Sequence, residues 1–99
     1  MHAVISRLTF KPGTAQTVSD IVRDKVVPEA ARMPAFEHYY AIRTGEDSAT
    51  AITLWASQAG VENHLQQFAK LVQQHVGEYI TSVERESGEV GFELSKQRS

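Results

Sequence analysis

The chain has no cysteine, so it has no disulfide framework and no thiolate metal site. It has no excess of either charge: ten basic residues stand against twelve acidic ones, and no basic cluster marks a nucleic-acid surface. No apolar run reaches the length of a membrane span. The first residues read as strand rather than as a secretion signal, so a cytoplasmic protein is the expectation. Phosphate-binding glycine loops, dinucleotide fingerprints, paired zinc-ligand motifs and serine nucleophile elbows are all missing. No internal repeat or low-complexity stretch occurs. What remains is ordinary globular composition, 41% hydrophobic and 22% charged, over 99 residues, enough for one domain with a small core. That domain is expected over residues 1–95, with a polar tail over 96–99.

The organising stretch runs from Leu54 to Phe68. A strand ends at Trp55, Ser57 caps a helix, and an apolar stripe of Val61, His64, Leu65, Phe68, Leu71, Val72, Val76, Tyr79 and Ile80 follows at helical spacing. Before it, residues 2–10 alternate as a first strand, which Lys11-Pro12-Gly13 stops. Thr14 is the expected N-cap of a helix carrying Ala15, Val18, Ile21, Val22 and Val26, which Pro28 should kink or end. Phe36 to Arg43 and Ala49 to Trp55 read as a hairpin around Thr44-Gly45-Glu46-Asp47-Ser48. After a turn at Ser87-Gly88, the alternation of Val90, Phe92 and Leu94 predicts a fourth strand. The order strand, helix, strand, strand, helix, strand predicts an α+β, ferredoxin-like antiparallel sheet with two helices on one face.

Two helices cover one sheet face only. Assigning Ala3, Ile5, Tyr39, Ala41, Ala51 and Trp55 to the other leaves a contiguous apolar surface, and a face-to-face homodimer is the simplest cover for it. On this reading Trp55 packs across the dimer, and Arg7, Glu37 and Arg43 form cross-strand pairs. Arg43 is also open to a role with a substrate anion.

The run Trp55-Ala56-Ser57-Gln58-Ala59 leading to His64, the Lys11-Pro12-Gly13 turn and the entry Met33-Pro34-Ala35-Phe36 together resemble the antibiotic-biosynthesis monooxygenase family, over about residues 2 to 94. The resemblance implies a dimeric α+β barrel. It also implies an oxygenase that acts without cofactor on a small aromatic or polyketide-like molecule, using a base and hydrogen bonds that hold a phenolate. The family includes haem-degrading members, and the segment from Ser6 to Ala15 looks like their first strand and turn. Carried over by position, their strand asparagine falls on Ser6 and their helix tryptophan on His64. Their haem-ligand histidine falls on or near Gln74, beside His75. Two of these residue types are replaced and the third is shifted by one.

The candidate site follows. His64, whose imidazole can take a phenolic proton, is the candidate base, against the plainer reading of a histidine bonded to a backbone carbonyl. Ser6, His38, Tyr40, Phe68 and His75 are candidate substrate-binding residues. His38 and Tyr40 join Ser6 and His64 if their strand face looks into the space between helices and sheet. His75, eleven positions after His64 and about 16 Å along the helix, cannot share a metal ion with it but could ligate a haem iron. No metal site is expected and no cofactor in the leading reading, with haem as the alternative. A third reading is a non-catalytic dimer that binds a small apolar ligand. Neither nucleic acid nor membrane is an expected partner.

Overall fold

A computed structural model gives the fold, and it describes residues 1–94. The polar tail over 96–99 lies outside the described residues. Strand β1 is His2–Phe10, β2 is Phe36–Gly45, β3 is Ser48–Trp55 and β4 is Ile80–Glu89. They form one antiparallel sheet in the order β2-β3-β1-β4. A helical arm, α1 (Ala15–Ile21), a π turn (Val22–Val26) and α2 (Val27–Ala30), lies on one face beside the long helix α3 (Gln58–Val76). This is the expected ferredoxin-like α+β architecture.

Local chemistry explains the joints. Gly13 takes φ +78°, the left-handed region a glycine enters at little cost, and its N–H donates to Asp47 Oδ1 at 3.1 Å. Thr14 stands at the N-cap, but its hydroxyl donates to the Lys11 carbonyl at 2.7 Å and caps nothing in the helix. Ser57 behaves as expected, accepting from the Gly60 N–H at 3.1 Å. Pro28 neither ends nor visibly breaks the arm. The wide turn just before it takes up the irregularity, and Pro28 sits in the first turn of α2, where a missing N–H costs nothing.

The fourth strand is not where alternation places it. Helix α3 stops at Val76, a short 3₁₀ turn Gly77–Tyr79 follows, and β4 pairs with β1 from Ile80 opposite Phe10 to Glu89 opposite His2. Ser87 and Gly88 lie inside the ladder opposite Val4 and Ala3, while residues 90–94 carry no strand. An edge strand exposed almost throughout has no buried side to enforce a pattern, so its sequence shows none.

The faces of β2 and β3 are also exchanged relative to expectation. Registers Val4–Thr53–Tyr39 and Ser6–Ala51–Ala41 put Tyr39, Ala41, Ala51, Thr53 and Trp55 under the helices. Trp55 is fully buried in the core with Val4, Val26, Met33, Phe68 and Leu71, so it does not reach the opposite face. The open face carries Ala3 and Ile5 as expected, but its other members are His38, Tyr40, Ile42, Thr50, Ile52 and Leu54. Size misleads here: the larger aliphatics of β3 point away from the helices, and its alanines make room beneath them. On the same open face Arg7 pairs with Glu86 at 2.9 Å rather than with Glu37.

Candidate active site

The alanines are the starting point. Ala41, Ala49 and Ala51 form a low floor across β2 and β3, because a methyl is all that each raises toward the helical arm. Val18, Val22 and Val27 roof it, and Leu8 and Phe10 close the inner side. The result is a cavity of about 370 Å³, within the range of small-molecule pockets. Its walls are mostly hydrocarbon.

Its polar groups are few. The Tyr39 phenol enters from β2, its ring 6.0 Å from that of Phe68. Burial raises its pKa above the ordinary tyrosine value, so near neutrality it is a protonated donor. Among the described residues its hydroxyl takes part in no hydrogen bond, and the oxygen is not fully enclosed by protein. Ser19, Arg23 and Arg43 stand at the rim. Arg23 is paired, with Asp24 at 2.9 Å and Asp20 at 3.5 Å. Arg43 donates through Nε to the Gly45 carbonyl at 3.0 Å and through Nη2 to the Glu46 carbonyl at 3.1 Å. Both acceptors are backbone groups of the hairpin, and no carboxylate among the described residues pairs with Arg43.

The residues expected from sequence lie elsewhere. His64 is half-buried at the Trp55 end of α3, its ring parallel to the indole at 6.3 Å between centroids. It stands behind the cavity, linked to it by the aromatic row Trp55, Phe68 and Tyr39, and is not in its wall. Phe68 is core. Ser6 faces the helices, and its hydroxyl accepts from Arg85 Nε at 3.2 Å. His75 is half-buried near the end of α3, outside the cavity lining. His38 and Tyr40 stack on each other at 6.1 Å on the open face, separated from the cavity by the sheet. The condition that would have brought them to the site, a strand face turned toward the helices, is therefore not met. Glu37 accounts for this: it is skipped in the ladder between Phe36 and His38, so Phe36 and Tyr39 share a side, which strict alternation does not allow.

A second hollow at the strand ends near Thr9, Ser48 and Ser82 is more polar. Neither hollow is lined by a histidine, so neither offers an imidazole to a haem iron. Among the described residues no three His, Asp or Glu side chains gather as metal ligands. No helix among them is long and apolar enough to cross a membrane.

The family model for antibiotic biosynthesis monooxygenase matches residues 1–70. The chain belongs to that family. No curated protein matches its sequence, but solved structures of the antibiotic biosynthesis monooxygenase fold match it closely in shape. A protein of unknown function from Nitrosomonas europaea is 21% identical with a TM-score of 0.81, the match covering 98% of this chain and 95% of that one. SnoaB, a cofactor-independent oxygenase from Streptomyces nogalater, is 17% identical with a TM-score of 0.76, over 96% and 97%. The haem degrader MhuD from Mycobacterium tuberculosis, solved with two haems in its active site, is 13% identical with a TM-score of 0.78, over 96% and 100%. At such identities these likenesses carry the fold, and they place the family's oxygenase and haem-degrading branches on the same scaffold as this chain.

Proposed function

We propose that this chain is a cofactor-independent monooxygenase acting on a small aromatic, polyketide-like molecule held between the helical arm and the sheet. The observation that carries the reading is the cavity of about 370 Å³, largely apolar, with a protonated phenol among its few polar groups. Cofactor-free oxygenation of an activated ring CH₂ is balanced by dioxygen alone. Deprotonation makes the carbon electron-rich, oxygen adds to it as a hydroperoxide, and loss of water leaves a carbonyl. One oxygen atom ends in product and the other in water. The protein's task is to hold the enolate oxygen, which a neutral donor in a largely apolar cavity does well. Tyr39 fills that role. His64 is set behind the cavity by Trp55 and Phe68, beyond direct or one-water reach, so the reading routes no proton to it and the ring proton of the activated substrate leaves to solvent at the cavity mouth.

In this reading the open sheet face joins two copies. Ile5, Ile52 and Tyr40 lie side by side across three strands of it, and Tyr40 and Ile42 are 51% and 46% exposed in the single chain, a patch better covered than wetted. The reading takes the protein to be cytoplasmic, without nucleic-acid or membrane partners, in keeping with its charge balance.

Oxygen consumption with dithranol, an anthrone, tests the activity. Wild type should take up one dioxygen per substrate faster than buffer, Tyr39→Phe should lower kcat by about ten- to a hundredfold, and His64→Ala should leave kcat close to wild type. A wild-type rate equal to buffer would defeat the proposal.

A further inference from the structure

The first helix of the arm, α1, is weakly secured. Its seven residues are too few to hold a helix on their own. The first turn has no side-chain cap and no acidic residue, and the last turn has no basic one, so neither end of the helix dipole meets an opposite charge. Apolar packing divides at the wide turn. On the α2 side, Val26, Ala30 and Met33 belong to the cluster around Trp55 and Phe68. On the α1 side, Ala15 and Val18 belong to a second, smaller cluster with Phe10 and Val76. Polar ties are fewer still. Pro12 has no amide to give, the Thr14 N–H and hydroxyl both return to the Lys11 carbonyl, and Gln16 bonds Asp20 within the helix. Among the described residues, one hydrogen bond alone joins residues 12–21 to the sheet, its hairpin or α3: the Gly13 N–H donating to Asp47 Oδ1 at 3.1 Å. The hairpin end of that tie is firm, because the Asp47 carbonyl accepts the Phe10 N–H at 2.8 Å.

We propose that α1 is the lid of the cavity, hinged at the wide turn and latched by the Asp47 carboxylate. Ala15, Val18 and Ser19 line the cavity, so lifting α1 uncovers the floor without disturbing the larger cluster. The latch is exposed, and water can take the place of either partner, so the bond breaks at small cost and remakes readily. A segment of this kind belongs to the low-stability end of a fold, from which elements that admit ligands are drawn. The inference rests on the proposed function only in taking the cavity to receive a small molecule.

Hydrogen exchange and entry kinetics on the full chain test this. In wild type the amides from Val18 to Val22 should exchange about tenfold faster than those from Phe68 to Val72 in α3, or faster still. Asp47→Ala should speed α1 exchange about fivefold and leave α3 unchanged, and Asp47→Asn, which keeps an acceptor oxygen, should restore most of the protection. Stopped-flow mixing with N-phenyl-1-naphthylamine, a neutral dye that brightens in apolar surroundings, reads passage through the lid. Asp47→Ala should raise its association and dissociation rates together, by about fivefold each, and keep Kd within about twofold of wild type. A merely structural Asp47 would instead weaken Kd, and that result overturns the inference. So do α1 amides as slow as those of α3, an exchange gain that spreads through the chain, dye rates that Asp47→Ala does not move, or a dye that gains no brightness with wild type. A chain with this lid that oxidises nothing defeats the oxygenase reading alone. A chain that oxidises dithranol with α1 as well protected as α3 defeats this inference alone.

Discussion

The indole N–H of Trp55 donates to the Thr53 hydroxyl at 2.9 Å, two residues back on the same strand and with both side chains buried. The bond lets a large aromatic side chain fill the centre of the core without stranding its polar atom. Thr53→Val keeps the shape and removes the acceptor. It should cost about 1–3 kcal/mol in urea unfolding, while Thr53→Ser should recover part of the loss.

Gly60 and Ala35 form a second coupled pair. A Cβ at Gly60 would stand 2.6 Å from the Ala35 Cβ, and Ala35 itself has φ +70°, the left-handed region that disfavours a side chain. Gly60→Ala should destabilise by about 1–3 kcal/mol through overpacking. Ala35→Gly removes both the opposing methyl and the backbone strain, and should rescue most of that loss. The coupling energy of the double-mutant cycle reads the contact directly.

The Tyr39 phenol carries a pH signature. Burial raises its folded pKa above the unfolded value of about 10. Its contribution to stability is therefore whole below that value and is lost as pH rises through the folded pKa, because the unfolded chain releases the proton first. The stability of wild type should fall more steeply than that of Tyr39→Phe above pH about 10, and the two should run parallel below it. The difference in phenolate absorbance between the two proteins should place this tyrosine's titration above the ordinary value.

Charge on the open sheet face tests the dimer. Ile52 lies between Ile5 and Tyr40 across the strands, so Ile52→Glu puts a carboxylate in the middle of the patch. Sedimentation should give twice the 11.0 kDa chain mass for wild type and a single chain for the variant, with the helical circular dichroism retained in both.

Haem addition separates the two branches of the family. With no histidine in the lining of either hollow, titration at micromolar protein should leave the Soret band of free haem unshifted. His75→Ala should then behave as wild type does.

Much of the fold can be read from the chain because particular residues leave one choice. Pro12-Gly13 ends β1, Ser57 starts α3, and Val61, Phe68, Leu71 and Val76 give that helix a buried stripe. β4 escapes because Thr81 to Glu89 lies exposed at an edge, where nothing selects alternation. The site is harder to read for a related reason. Tyr39 and Tyr40 are adjacent and chemically alike, and only the irregularity at Glu37 decides which of them meets the helices. The signal that marks the cavity is the set Ala41, Ala49 and Ala51, small residues where a packed core would place larger ones. Together they floor the hollow beneath the arm.

The wide turn at Val22–Val26 has a consequence for how the arm over the cavity can vary in length. Each residue of a regular helix advances about 100° around its axis. A wide turn spends one more residue on the same full circle, so excising a single position there would restore an ordinary spiral and leave Val18 and Ser19 close to their present bearings. The arm can therefore shed one residue at this point without redrawing the ceiling, an allowance in length that a regular helix would not give.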